Sequence, residues 1–114
     1  MRNQALTVAA ALALSGCATI IHLPVTGETQ DTHEEFSGTA TSNLSDGSGQ
    51  LNIVSLKGGV SCEGNFVMMT ARQGQGVLKC SDKRTGPFQF ASTGVRGTGT
   101  GTLGGERFTF VFGR

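Results

Sequence analysis

The sequence predicts an all-β fold: a single small antiparallel up-and-down meander of about seven strands, curled as a barrel or folded as a sandwich, with one disulfide. Three observations lead there. Beyond residue 34 helical periodicity is absent, and short alternating runs are separated by glycine pairs and Asp-Gly signals of the kind that close hairpins. Alternating glycines at 97, 99 and 101 stand one tight turn from alternating phenylalanines at 108, 110 and 112. Cys62 and Cys80 flank a segment of the length a single hairpin needs.

The first residues belong to a different text. Met1-Arg2-Asn3-Gln4 carries a positive charge and residues 5–14 are apolar except for Thr7, the pattern of a secretory signal peptide. The run is too short to cross a bilayer, which takes about 20 apolar residues. Leu14-Ser15-Gly16-Cys17 follows at once and resembles the lipobox of bacterial lipoproteins: an aliphatic residue, two small residues, then cysteine. The resemblance implies that the Cys17 thiol receives a diacylglycerol, that cleavage falls between Gly16 and Cys17, and that the new N-terminus is acylated, typically with palmitate. Ala18 follows the cysteine where an aspartate is absent, which resembles lipoproteins sorted to the outer membrane of Gram-negative cells. The expected location is therefore the bacterial cell envelope, lipid-anchored and facing the periplasm.

Loss of residues 1–16 leaves 98, with eight basic residues against eight acidic ones. A neutral chain without a Lys/Arg cluster lacks the footprint that phosphate neutralisation demands, so no nucleic-acid partner is expected. With Cys17 assigned to lipid, Cys62 and Cys80 remain as a pair in an oxidising compartment and are expected to form a disulfide. Residues 17–33 read as the lipidated N-terminus and a tether, although Ile20-Ile21-His22-Leu23 is apolar enough for a short edge strand or for the bilayer surface. Residues 34–114 read as the β-domain.

Turn signals then set registers, because loop length decides which residues face each other. Gly104-Gly105 as a two-residue turn pairs Gly101 with Phe108, Gly99 with Phe110 and Gly97 with Phe112, which places rings over glycines. Cys62 opposite Cys80 brings Glu63 to Lys79 and Phe66 to Gly76. Asp46-Gly47 places Ala40 against Ile53, and Gly58-Gly59 places Ile53 against Gly64. The loop at 82–86 brings Phe88 opposite Cys80, and Thr93-Gly94 sets Phe90 against Gly97. The strands so defined are 35–44, 49–57, 60–68, 74–81, 87–92, 95–103 and 106–112. One face collects Leu51, Ile53, Phe66, Leu78, Phe88, Phe90, Phe108, Phe110 and Phe112. So many rings in a small chain argue against a lipocalin-like ligand cavity.

No chemistry-bearing constellation emerges. No serine sits in a Gly-x-Ser-x-Gly elbow, and only His22 and His33 exist to activate one. Asp31, His33, Glu34 and Glu35 form one local cluster, but alternation along an extended chain points neighbours apart. The chain is expected not to be an enzyme and to take no cofactor or metal. The leading expectation is an envelope-anchored β-domain for interaction with an unknown envelope protein or for envelope assembly. Lys83 and Arg84, in a predicted hairpin tip, are the partner-binding candidates for an acidic surface. The alternative is an inhibitor or ligand-binding β-barrel, similar to periplasmic lysozyme inhibitors in architecture alone.

Overall fold

The computed structural model describes residues 19–113, so the segment expected to be a signal peptide, together with Cys17 and Ala18, lies outside the described residues. Eight antiparallel strands follow one another: β1 Ile20–Thr29, β2 Glu35–Asn43, β3 Ser48–Ser55, β4 Ser61–Met68, β5 Gln73–Cys80, β6 Thr85–Thr93, β7 Arg96–Leu103 and β8 Glu106–Gly113. Each pairs with the next, and β1 also pairs with β8, which closes an up-and-down barrel. Between the barrel and the sandwich the chain takes the barrel.

The tether reading of residues 17–33 is corrected over β1. Seven strands would leave two unpaired edges, and β1 removes both by bonding β2 on one side and β8 on the other. Its alternation is present but muted: Leu23, Val25 and Thr29 are buried while His22, Pro24 and Thr26 face out. A proline within a strand removes one ladder donor, and the position of Pro24 explains why it is tolerated. The Leu44 N–H donates to the Thr19 carbonyl, towards β2, and the Gln30 N–H donates to the Arg107 carbonyl, towards β8. The even residues of β1 thus turn their backbone to β8, and Pro24 lies just beyond the last β1–β8 pair, Val25 with Phe112. Its missing donor falls where the ladder has ended.

Two registers, β7–β8 and β4–β5, are those expected from the sequence. Gly104 and Gly105 both adopt positive φ, 62° and 86°, as a two-residue turn matching the strand twist requires. Leu103 then faces Glu106, and Gly97, Gly99 and Gly101 face Phe112, Phe110 and Phe108. Cys62 faces Cys80 and is bonded to it, with Glu63 opposite Lys79 and Phe66 opposite Gly76. The other four hairpins for which a register was expected differ by even steps. Ala40 faces Leu51, Ile53 faces Cys62, Gly76 faces Phe88, and Phe90 faces Gly99. In the first of these the loop takes four residues, 44–47, between Asn43 and Ser48 instead of two. An even slip moves a strand along its neighbour without turning a side chain to the other face, so the alternation that set the faces could not distinguish these registers.

All seven phenylalanines point inward and form one chain of ring contacts, from Phe36 against Phe108 at 5.6 Å to Phe66 against Phe90 at 5.0 Å. Five of the rings lean onto the preceding strand: Phe66 covers Gly49, Phe88 and Phe90 cover Gly76 and Gly74, and Phe110 and Phe112 cover Gly99 and Gly97, whereas Phe108 covers Gly27 of β1. A methyl group at Gly99 would overlap the Phe110 ring, so glycine there is a packing requirement. Gly76, expected beneath Phe66, lies beneath Phe88 instead because of this common lean.

Candidate functional site: a barrel with one plugged end and one open end

An up-and-down barrel sorts its loops alternately to its two ends, and here the two sets differ in chemistry. At one end stand the loops 30–34, 56–60, 81–84 and 104–105. Beneath them lie the bulky residues Phe36, Ile53, Leu78, Leu103 and Phe108, all at most 2 % exposed. Loop 30–34 folds over this end and is tied down. The buried Thr29 hydroxyl accepts the Glu34 N–H at 3.0 Å, and the Thr32 N–H donates to Glu106 Oε2 at 2.6 Å. That bond holds the Glu106 carboxyl below its usual range. His33, at φ 55°, turns the loop and places its ring against Glu28 at 2.8 Å.

Arg84 completes the plug. Its Nη1 and Nη2 donate to the two Glu34 oxygens at 2.8 and 3.2 Å, and its Nε donates to Asp82 Oδ2 at 2.8 Å. The guanidinium carbon sits 5.9 Å from the Phe36 ring centroid. A planar fork is suited to this double engagement, since two parallel bonds to one carboxylate leave its edge for another. The Arg84 bond, aided by the Ser55 hydroxyl, pulls the Glu34 carboxyl below its ordinary pKa, and Glu34 and Asp82 raise that of Arg84. Of the two residues singled out for a partner, Arg84 is therefore engaged inside the molecule with a quarter of its side chain exposed (24 %). Lys83 is exposed and holds a positive φ of 77° in the hairpin turn, where its N–H bonds the Cys80 carbonyl. The expected cationic docking pair is thus divided between a structural latch and a turn residue.

This latch has a measurable pH signature. Glu34 has a lower pKa folded than unfolded, so its contribution to stability is complete above about pH 4.5 and is lost as pH falls through the folded value. Arg84→Met leaves Glu34 half enclosed without its cation and is expected to cost about 1–3 kcal/mol at neutral pH. In acid titrations of stability followed by circular dichroism, the variant should lack the Glu34 portion of the acid decline, as should Glu34→Gln. An unchanged profile in both would show that the latch contributes nothing to folding.

The other end carries the loops 44–47, 69–72 and 94–95 and the incoming chain at Thr19. It opens into a cavity of about 310 Å3, lined by the buried Leu51, Phe66, Phe88 and Phe110 and, nearer the mouth, by the partly buried Phe90 and Phe112. Small residues make the space. Ala40, Ser42, Gly47, Ala71, Ser92 and Gly94 line the mouth where the plugged end has rings and branched chains. The volume stands at the lower end of the ~300–1,000 Å3 typical of ligand sites, and the mostly apolar walls with a few hydroxyls and an amide near the rim fit that class. The expectation that phenylalanine would fill the interior is corrected. Most of the rings pack against glycines along the walls, and near the mouth Ala40, Ser42 and Ser92 leave space between Ile21, Leu23 and Met68.

Among the described residues no group of three or more His, Cys, Asp or Glu side chains could hold a metal ion, and no helix is long and apolar enough to cross a membrane. The fold and its two ends define a small disulfide-linked β-barrel with one sealed and one open end. Compared with known proteins, the chain matches no family model, no curated protein and no solved structure.

Proposed function

We propose that this protein is a lipid-anchored, non-enzymatic component of the bacterial envelope whose barrel binds a small apolar group in the cavity at its open end. The lipobox at Leu14-Ser15-Gly16-Cys17 supports the anchor, and the single observation that carries binding is the apolar cavity of about 310 Å3 with its floor of phenylalanines. Of the two expectations drawn from the sequence, this favours the ligand-binding barrel over display of a cationic tip. Arg84, half of that tip, is taken up by Glu34 and Asp82.

Burial in such a site is driven by apolar area removed from water, at about 25 cal/mol per Å2. A flexible hydrocarbon chain suits it better than a polar ligand, because the wall offers few groups to replace lost hydration. Dansyl-labelled undecanoic acid should bind saturably to the mature protein with a rise and blue shift in emission. Ala40→Phe, which projects a ring into the mouth from β2, should weaken that binding about tenfold or more while leaving the far-ultraviolet spectrum unchanged. Equal binding to the folded variant would place the probe elsewhere and remove the cavity as the site.

A further inference from the structure

The open end differs from the rest of the surface in a second way. The start of β1 and all three loops at this end carry a large exposed apolar side chain: Ile20 in β1, Leu44 in the β2–β3 loop, Met69 in the β4–β5 loop and Val95 in the β6–β7 turn, between 49 % and 60 % exposed. Charge in those loops is confined to Asp46 and Arg72. The loops of the plugged end instead carry Asp31, Glu34, Lys57, Asp82, Lys83 and Arg84. Large apolar residues gathered on one rim, around an apolar mouth, form a face that water solvates poorly and that calls for a cover.

The chain itself indicates what that cover is. Thr19 is held at this rim by the Leu44 N–H at 2.8 Å, and Cys17 stands two residues before it. At 3.3–3.6 Å per residue the lipid-bearing cysteine lies within about 7 Å of the rim along the chain. An anchor attached there brings the apolar rim to the bilayer and turns the charged end to water.

We propose that the open end docks on the bilayer surface, with Ile20, Leu44, Met69 and Val95 inserted among the lipids and the cavity opening into the leaflet. The orientation rests on the lipid-anchor reading given above. Insertion is driven by the apolar area of four rim residues and is added to the anchor, which alone fixes proximity but not orientation. The ligand then enters the cavity from the hydrocarbon phase without crossing water, and its chemical class is the acyl chain of a membrane lipid.

The chain contains no tryptophan and no tyrosine, so a single introduced tryptophan is an unambiguous reporter. Leu44→Trp and Val95→Trp place it on the rim; Leu56→Trp places it on an equally exposed apolar position at the plugged end. The mature, natively processed proteins are reconstituted in phosphatidylethanolamine–phosphatidylglycerol vesicles, with and without lipids brominated along their acyl chains. Both rim reporters should be quenched several-fold more strongly than Leu56→Trp and should emit further to the blue. Equal quenching at both ends, or a rim reporter that remains unquenched, overturns the orientation; the second result would assign the rim to a protein partner. Mass spectrometry of the same samples reads the lipid on Cys17 separately. If that lipid is absent the anchor reading fails, and the rim is then judged by adding vesicles to the soluble chains, where selective rim quenching supports docking and its absence overturns it.

Discussion

Cys17→Ala is expected to abolish incorporation of a clickable fatty acid and to leave the chain as an unprocessed precursor, since the thiol is the group the lipobox presents for acylation. The effect should be complete. Each buried methylene contributes about 0.8 kcal/mol, so two or three acyl chains hold a protein at a membrane where none would hold it only by its surface. The discovery of β1 changes the meaning of this anchor. A tether over residues 17–33 would have lifted the domain off the membrane. With Thr19 bonded to Leu44 and β1 starting at Ile20, a lipid on Cys17 would hold the barrel with almost no spacer. Persistence of the label in Cys17→Ala would end the lipoprotein reading.

The second large effect is expected from opening the disulfide. Cys62 and Cys80 are 18 residues apart in sequence and buried at 2 % and 9 % exposure beside Ile53 and Leu78. Closing a loop of that size restricts the unfolded chain by about 3 kcal/mol in the chain-entropy account. The double variant Cys62→Ala/Cys80→Ala should therefore lower Tm by roughly 12–24 °C, at 4–8 °C per kcal/mol for a domain of this length. Circular dichroism is the suitable probe, because the chain has no tryptophan or tyrosine. A fall of less than about 1 kcal/mol would mean that the barrel ladder, closed by β1 and β8, already supplies the constraint attributed to the bond.

The plug and the cavity share one cause, an uneven distribution of side-chain volume along the barrel axis. At the plugged end Phe36 packs edge to face on Phe108 in the same buried cluster as Leu103, and Arg84, paired with Glu34, lies over Phe36. At the open end the small residues Ala40, Ser42 and Ser92 stand among Ile21, Leu23 and Met68 along the wall, and the rings of Phe90 and Phe112 are only partly buried. Enclosed rings fill the plugged end, and the cavity lies where packing is incomplete.

The sequence by itself determined the strand class, the inward face of nearly every strand, the Cys62–Cys80 pairing, and the Gly104-Gly105 hairpin with its glycines facing phenylalanines. These are local properties: side-chain alternation has a period of two, and a turn of two glycines allows few registers. Tertiary structure alone decided the rest. β1 became a strand because a curled seven-strand sheet presents two edges for it to close, a long-range demand that Pro24 and weak alternation concealed. The even register shifts between β2 and β4 and between β5 and β7 leave every face unchanged, so alternation could not detect them. The cavity was hidden for the same reason. Its small residues are scattered from position 40 to position 94 and converge at one end only when all eight registers are correct, and Arg84 meets Glu34 only when the β1–β2 loop folds over the closed barrel.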